Sequence, residues 1–124
     1  MRRIPGDTLS ELRWFDVIAS GPLGTFTYEC KRDRMAHKTG NVAIEHKAIK
    51  HSRADYIVYC LDEPDGSFGQ LLQIPRKTLY DLLVWNWKRN QNGEPCFRVT
   101  RGGDYNDLMT LIPVNAFIYR CEPV

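Results

Sequence analysis

Several features are scarce in this sequence, and each scarcity narrows the reading. No stretch is apolar for long enough to cross a bilayer. The opening, MRRIPGDTLSELR, lacks the apolar run of a signal peptide. A cytoplasmic location with no membrane attachment is therefore expected. Repeats, low-complexity segments and long linkers are missing too, so the 124 residues are expected to form one domain, 1–124. Cysteine occurs four times, at 30, 60, 96 and 121, and never in a C-x-x-C pair or other zinc-ligand spacing. Strand-type neighbours such as Tyr59 and Phe97 predict buried, reduced thiols, which pack as small hydrophobes.

Net charge is small, +2, but unevenly distributed. Between Lys31 and Arg53 stand seven Lys/Arg and two acids, Asp33 and Glu45, so this segment carries +5. His37, His46 and His51 fall in it as well. A basic block in a near-neutral domain suggests an anionic partner such as nucleic acid, or else a solvated basic face.

Strand signals dominate the first two thirds. Leu12 to Ala19 and Thr25 to Arg32 flank Gly21-Pro22-Leu23-Gly24, a turn sequence. Further strands are expected at Asn41 to Glu45, Ala54 to Leu61 and Gln70 to Ile74, with a turn over Asp62 to Gly69. The clearest helix runs from Pro75 to about Arg89, with Leu79, Leu82 and Leu83 at helical spacing and Asn92-Gly93 after it. Trp85 and Trp87 lie on adjacent faces of that helix, so both cannot be core; packing is expected, with base stacking or a dimer contact as the alternative. Residues 97–100 and 108–113 read as a C-terminal hairpin around Gly102-Gly103-Asp104. Residues 34–40 and 46–53 read as loop or short helix. The order predicts an α+β fold with a central mixed, mainly antiparallel sheet, flanking helices and a C-terminal hairpin.

With Ser20 paired to Thr25, the first hairpin sets Asp16 opposite Glu29, Trp14 opposite Lys31 and Phe15 opposite Cys30. One face then carries Phe15, Val17, Ala19, Phe26, Tyr28 and Cys30, which marks it as the core side. The other carries Trp14, Asp16, Ile18, Thr27, Glu29 and Lys31. Directly opposed carboxylates repel unless a cation lies between them, since their Cβ atoms stand about 5 Å apart. A divalent ion such as Mg²⁺ takes hard oxygen ligands of this kind, and Lys31 on the same face can reach a phosphate. An ordinary surface Asp–Lys–Glu cluster fits the same spacing.

An Asp on one strand followed by Glu-x-Lys on the next resembles the active site of the PD-(D/E)XK nuclease superfamily. The ordered blocks Thr39-Gly40-Asn41, Ile44-Glu45 and Ala54-Asp55-Tyr56 downstream of YECK resemble its small phage-type and Holliday-junction-resolvase-like members. So do the Ile-Pro-helix stretch LQIPRKTLYDLL and the Gly-Gly-Asp hairpin. The resemblance spans roughly residues 12–115. It implies a restriction-endonuclease-like core and a metal-dependent DNA endonuclease, phage-encoded and acting in a bacterial host. Asp16, Glu29 and the backbone carbonyl of Cys30 would hold Mg²⁺ or Mn²⁺. Lys31 would orient or deprotonate the attacking water, leaving 5′-phosphate and 3′-hydroxyl ends. Glu45 and Asn41 would orient the water or a metal ligand, and Glu11 stands where an N-terminal helix often carries an acid. Arg32, Arg34, Lys38, Asn41, Lys47, Lys50 and Arg53 would contact DNA. His37 and His46 read as exposed polar residues or phosphate contacts, and Asp55 as a loop cap. So small a chain suits structure-selective cleavage of branched or junction DNA by a homodimer. The alternatives are a DNA- or protein-binding module on the same fold with weak or lost cleavage, and an interaction protein whose basic block meets an acidic partner.

Overall fold

The computed structural model describes Arg2–Arg3, residues 16–103 and residues 105–124. The expected pairings of Trp14 and Phe15, the start of the first strand, Glu11 and Asp104 lie outside the described residues. The architecture is α+β, built on two sheets. The first contains β1 (Arg2–Arg3), β2 (Asp16–Gly21), β3 (Gly24–Asp33), β5 (Tyr56–Leu61), β6 (Gln70–Pro75) and β9 (Glu122–Pro123), in the order β1-β2-β3-β5-β6-β9. Only β3 and β5 run parallel; the other pairings are antiparallel. The second sheet has the order β4-β8-β7, from β4 (Asn41–Glu45), β7 (Arg98–Gly102) and β8 (Asp107–Pro113). Four helices complete the described chain: α1 (Ala36–Thr39), α2 (His46–His51), α3 (Arg76–Gln91) and α4 (Val114–Arg120). Among the described residues no helix is long and apolar enough to cross a membrane.

Local chemistry accounts for most boundaries. The β2–β3 hairpin closes through Pro22-Leu23, with Gly21 paired to Gly24, and its register is the expected one: Asp16↔Glu29, Val17↔Tyr28, Ser20↔Thr25. Gly24 sits at φ +120°, a conformation that side chains disfavour. β5, read as YIVYCL, is apolar without alternation because both its faces are covered. α3 starts immediately after Pro75 and ends at Asn92, with Gly93 following in a left-handed conformation (φ +70°). Its buried residues Leu79, Leu83 and Asn86 follow helical spacing. The Asn86 amide receives the Phe97 N–H at 2.7 Å and donates to the Phe97 carbonyl at 3.0 Å, so the chain leaving α3 is tied back onto it.

Three expectations need correction. First, the Phe26, Tyr28 and Cys30 side of β3 is buried, but only in a small cluster with Val58. The principal core lies on the opposite side, where Ile57, Tyr59, Leu61, Leu72 and Ile74 meet Val42 and Ile44 of β4, Ile49 of α2, Leu79 and Leu83 of α3, Ile112 of β8 and Phe117 of α4. Glu29 and Lys31 register with Ile57 and Tyr59, so they stand at the margin of that core, not on an open outer face. Second, the strands do not all fall in one central sheet: β4 and the expected C-terminal hairpin make a separate layer. Third, Trp85 and Trp87 are both exposed, at 48% and 38%. The thiols are reduced as expected, yet only Cys30 and Cys60 are buried while Cys96 and Cys121 are half-buried. Burial pushes the Cys121 thiol up to about 11.

Candidate active site

β3 presents alternate charged residues to its two sides, and they meet different fates. On the small-cluster side, the Arg32 guanidinium donates to Asp62 Oδ1 at 2.7 Å and to the Gly66 carbonyl at 3.1 Å. It also lies 4.2 Å from the centre of the Phe68 ring. The Asp62 side chain is 3% exposed. The hydrogen bond to Asp62 holds the Arg32 guanidinium above its ordinary range, against the desolvation that would lower it. Arg32 therefore anchors the loop between β5 and β6, and it also lines the cleft described below.

On the principal-core side, Lys31 Nζ lies 3.3 Å from Glu29 Oε2. The pair is close without being well made. Oε2 is buried, yet among the described residues no donor meets it in hydrogen-bonding geometry. An orphaned carboxylate oxygen is costly in a folded protein and calls for an explanation. The backbone register places Asp16 directly across from Glu29; the position of its side chain lies outside the described structure.

Beyond the pair opens a cleft of about 260 Å³, lined by Lys31, Arg32, Asp33, Arg34, Ala43, Glu45, Ala48 and Tyr59. Each comes from a different device. Asp33 ends β3, and its carboxylate receives three backbone N–H groups: Met35 at 2.9 Å, Ala36 at 2.8 Å and Ala43 at 3.2 Å. It thereby fastens the start of α1 and the β4 strand to the central sheet. Sequence reading left Asp33 without a role, although an Asp two and three residues before a helix start is a recognisable turn signal. Glu45 ends β4 and makes no side-chain cap to α2. Gly103 (φ +74°), at the tip of the β7–β8 hairpin, leaves Glu45 Oε1 3.8 Å from where a Cβ would stand. Tyr59 is buried at the floor, edge-on to Phe117. Its hydroxyl is raised far above the ordinary phenol range, first by burial and then by the carboxylates of Asp33, Glu29 and Glu45. Three acids thus act on one floor residue, and Asp33 is the one already engaged by the backbone.

The remaining expected residues separate. Asn41 is used locally: its amide reaches the Thr39 carbonyl, and Thr39 Oγ1 bonds its backbone. It does not line the cleft. Asp55 receives the Thr27 N–H at 2.8 Å and lies 3.2 Å from the Thr27 hydroxyl, which makes it the loop cap expected. Arg34, Lys38, Lys47, Lys50 and Arg53 are exposed. Arg34 opens on the cleft, whereas Lys47 and Lys50 open on a second depression. α2 is the wall between the two, with Ala48 on the cleft side and His46, Lys47 and Lys50 on the other. His37 is exposed, while His46 is held 2.6 Å from the Thr110 hydroxyl, and burial lowers its pKa.

Among the described residues no three His, Cys, Asp or Glu side chains cluster at metal-binding distance. The Glu29 oxygen nonetheless has the chemistry of a cation ligand: it is anionic, buried, and incompletely matched by Lys31. Compared with known proteins, the chain matches no family model, no curated protein and no solved structure.

Proposed function

We propose that this protein is a metal-dependent DNA endonuclease with a restriction-endonuclease-like core, cutting at the cleft beside Glu29 and Lys31. The observation that carries the reading is the buried, unsatisfied Glu29 Oε2 next to Lys31, on the strand whose register sets Asp16 opposite. Unsatisfied charge at a cleft is uncommon where fold alone is at stake and common where a site must receive a ligand. Asp16, Glu29 and the Cys30 carbonyl would hold Mg²⁺ or Mn²⁺, with Asp16 contributing from the facing strand. A divalent ion, when bound, supplies charge neutralisation at the scissile phosphate and a more acidic water. Lys31 then positions that water or the phosphate, and Glu45, at the cleft edge, holds it from the far side. Arg34 draws the phosphate backbone toward the opening, with Lys38 and Arg53 adding long-range attraction.

Supercoiled plasmid incubated with Mg²⁺ or Mn²⁺ tests the proposal. Nicking is expected for the native protein and lost in Glu29→Ala and Lys31→Ala, by about 10²–10⁴ in rate for removal of a group that handles the proton. The same background in all three proteins would reject catalysis and leave a binding module. Faster cutting of a four-way junction than of linear duplex supports structure-selective cleavage, and equal rates refute it.

A further inference from the structure

The second depression is larger than the cleft, about 440 Å³, within the size range of small-ligand pockets. Its floor is apolar, from Leu83, Val84 and Leu108, and its wall is the exposed indole of Trp87. The His46 ring stands edge-on to that indole, with centroids 6.3 Å apart. Around the rim are Lys47, Lys50, Lys88 and Arg101, with Asp107 the one acid among the described residues of the lining. Among the described residues none of the four cations is in an ion pair with a carboxylate. An aromatic wall under several unneutralised cations fits a ligand that is flat and apolar in one part and anionic in another. A nucleotide has that chemistry. Duplex DNA does not offer it, because its bases are stacked inside; an unpaired nucleotide does. The groove also adjoins the cleft, since Glu45 lines one and His46, the next residue, lines the other.

We infer that this groove binds an unpaired nucleotide of single-stranded DNA, its base against Trp87 and its phosphates on Lys47, Lys50, Lys88 and Arg101. The inference rests on DNA being the partner proposed above, and extends it by naming the form of DNA that is gripped. A strand threaded over α2 would carry its neighbouring phosphodiester toward Lys31.

The test is fluorescence anisotropy in EDTA, so that no cutting is needed, using labelled dT12 and an abasic dodecamer with the same phosphates. The native protein should bind dT12 about tenfold tighter than the abasic strand, the size of one good stacking contact. Trp87→Ala should reduce that preference to less than twofold, and Trp87→Phe should keep part of it. The double variant Lys47→Ala/Lys50→Ala should lower the slope of log affinity against log salt by about 0.7 for each lysine removed. The phenylalanine and double-lysine variants keep the test decisive if Trp87→Ala does not fold. Equal binding of the two strands by the native protein overturns the inference, as does a preference that survives in Trp87→Ala. Displacement of dT12 by poly-glutamate at equal charge also overturns it, in favour of an acidic protein partner. A base preference without Mg²⁺-dependent nicking would remove the nuclease reading alone. Nicking that depends on Glu29 and Lys31, without base preference, would remove the groove alone.

Discussion

Two ion pairs on one strand, Arg32–Asp62 and Lys31–Glu29, start one residue apart and differ in almost every physical respect. Arg32 meets Asp62 at 2.7 Å, gains a carbonyl and an aromatic ring, and closes over a carboxylate that is 3% exposed. Lys31 approaches Glu29 at 3.3 Å, leaves the buried oxygen without hydrogen-bonding geometry, and faces a cleft. The first arrangement is a completed structural contact. The second is incomplete, and its incompleteness is what makes it available to a ligand. Charge type and sequence position do not separate these two pairs; satisfaction does.

If that distinction holds, substitutions on the two sides of β3 should divide into losses of stability and losses of activity. The largest stability effect is expected from Arg32→Met, which strands Asp62 in the interior. Removing one partner of a buried pair is strongly destabilising, and the urea midpoint should fall on the order of 1 M. Arg34→Met, at an exposed cation two residues on, should leave the midpoint unchanged. Asp33→Ala comes next, because three backbone N–H groups lose their acceptor; a smaller fall of the urea midpoint is expected. Asp33→Asn should recover part of it. If Asp33→Ala instead abolished nicking without lowering stability, Asp33 would belong to the site.

The smallest effect concerns His46. Burial lowers its pKa below the ordinary 6.5, so the unfolded chain binds that proton first. Native stability should therefore decline as pH falls below about 6.5, until the lowered folded value is passed. His46→Gln can keep a hydrogen bond to Thr110 but does not titrate, so its melting temperature should change less between pH 7 and pH 5. An unchanged slope would show that His46 is not the residue responsible.

Much of the fold was legible because local signals agreed. The Pro22-Leu23 turn and the alternation in β2 and β3 set the hairpin register, and the Val, Ile and Tyr run of β5 marked a strand. Which face met the larger core was not legible. Alternation separates the sides of a strand but does not say what packs on each, and the cover on the Glu29 side comes from α2, α3, β8 and α4, distant in sequence. The bond from Arg32 to Asp62 was not legible for the same reason: the partners lie thirty residues apart. The helix α4 was missed although Ile112-Pro113 repeats Ile74-Pro75, and both prolines lead directly into a helix. At the site, Glu29, Lys31 and Glu45 were named from sequence, while Tyr59 and the anchoring role of Asp33 emerged only from the packing. Trp87 was seen, but a helical pattern could not reveal that its neighbours form a cationic rim.

The comparison reduces to one paired experiment, in which Glu29→Gln and Arg32→Met are melted and assayed for Mg²⁺-dependent plasmid nicking at a temperature where both are folded. Glu29→Gln keeps shape and removes charge. It should melt within about 0.5 kcal/mol of the native protein and fail to nick, whereas Arg32→Met should melt early and still nick. Nicking by Glu29→Gln at the native rate would contradict the account.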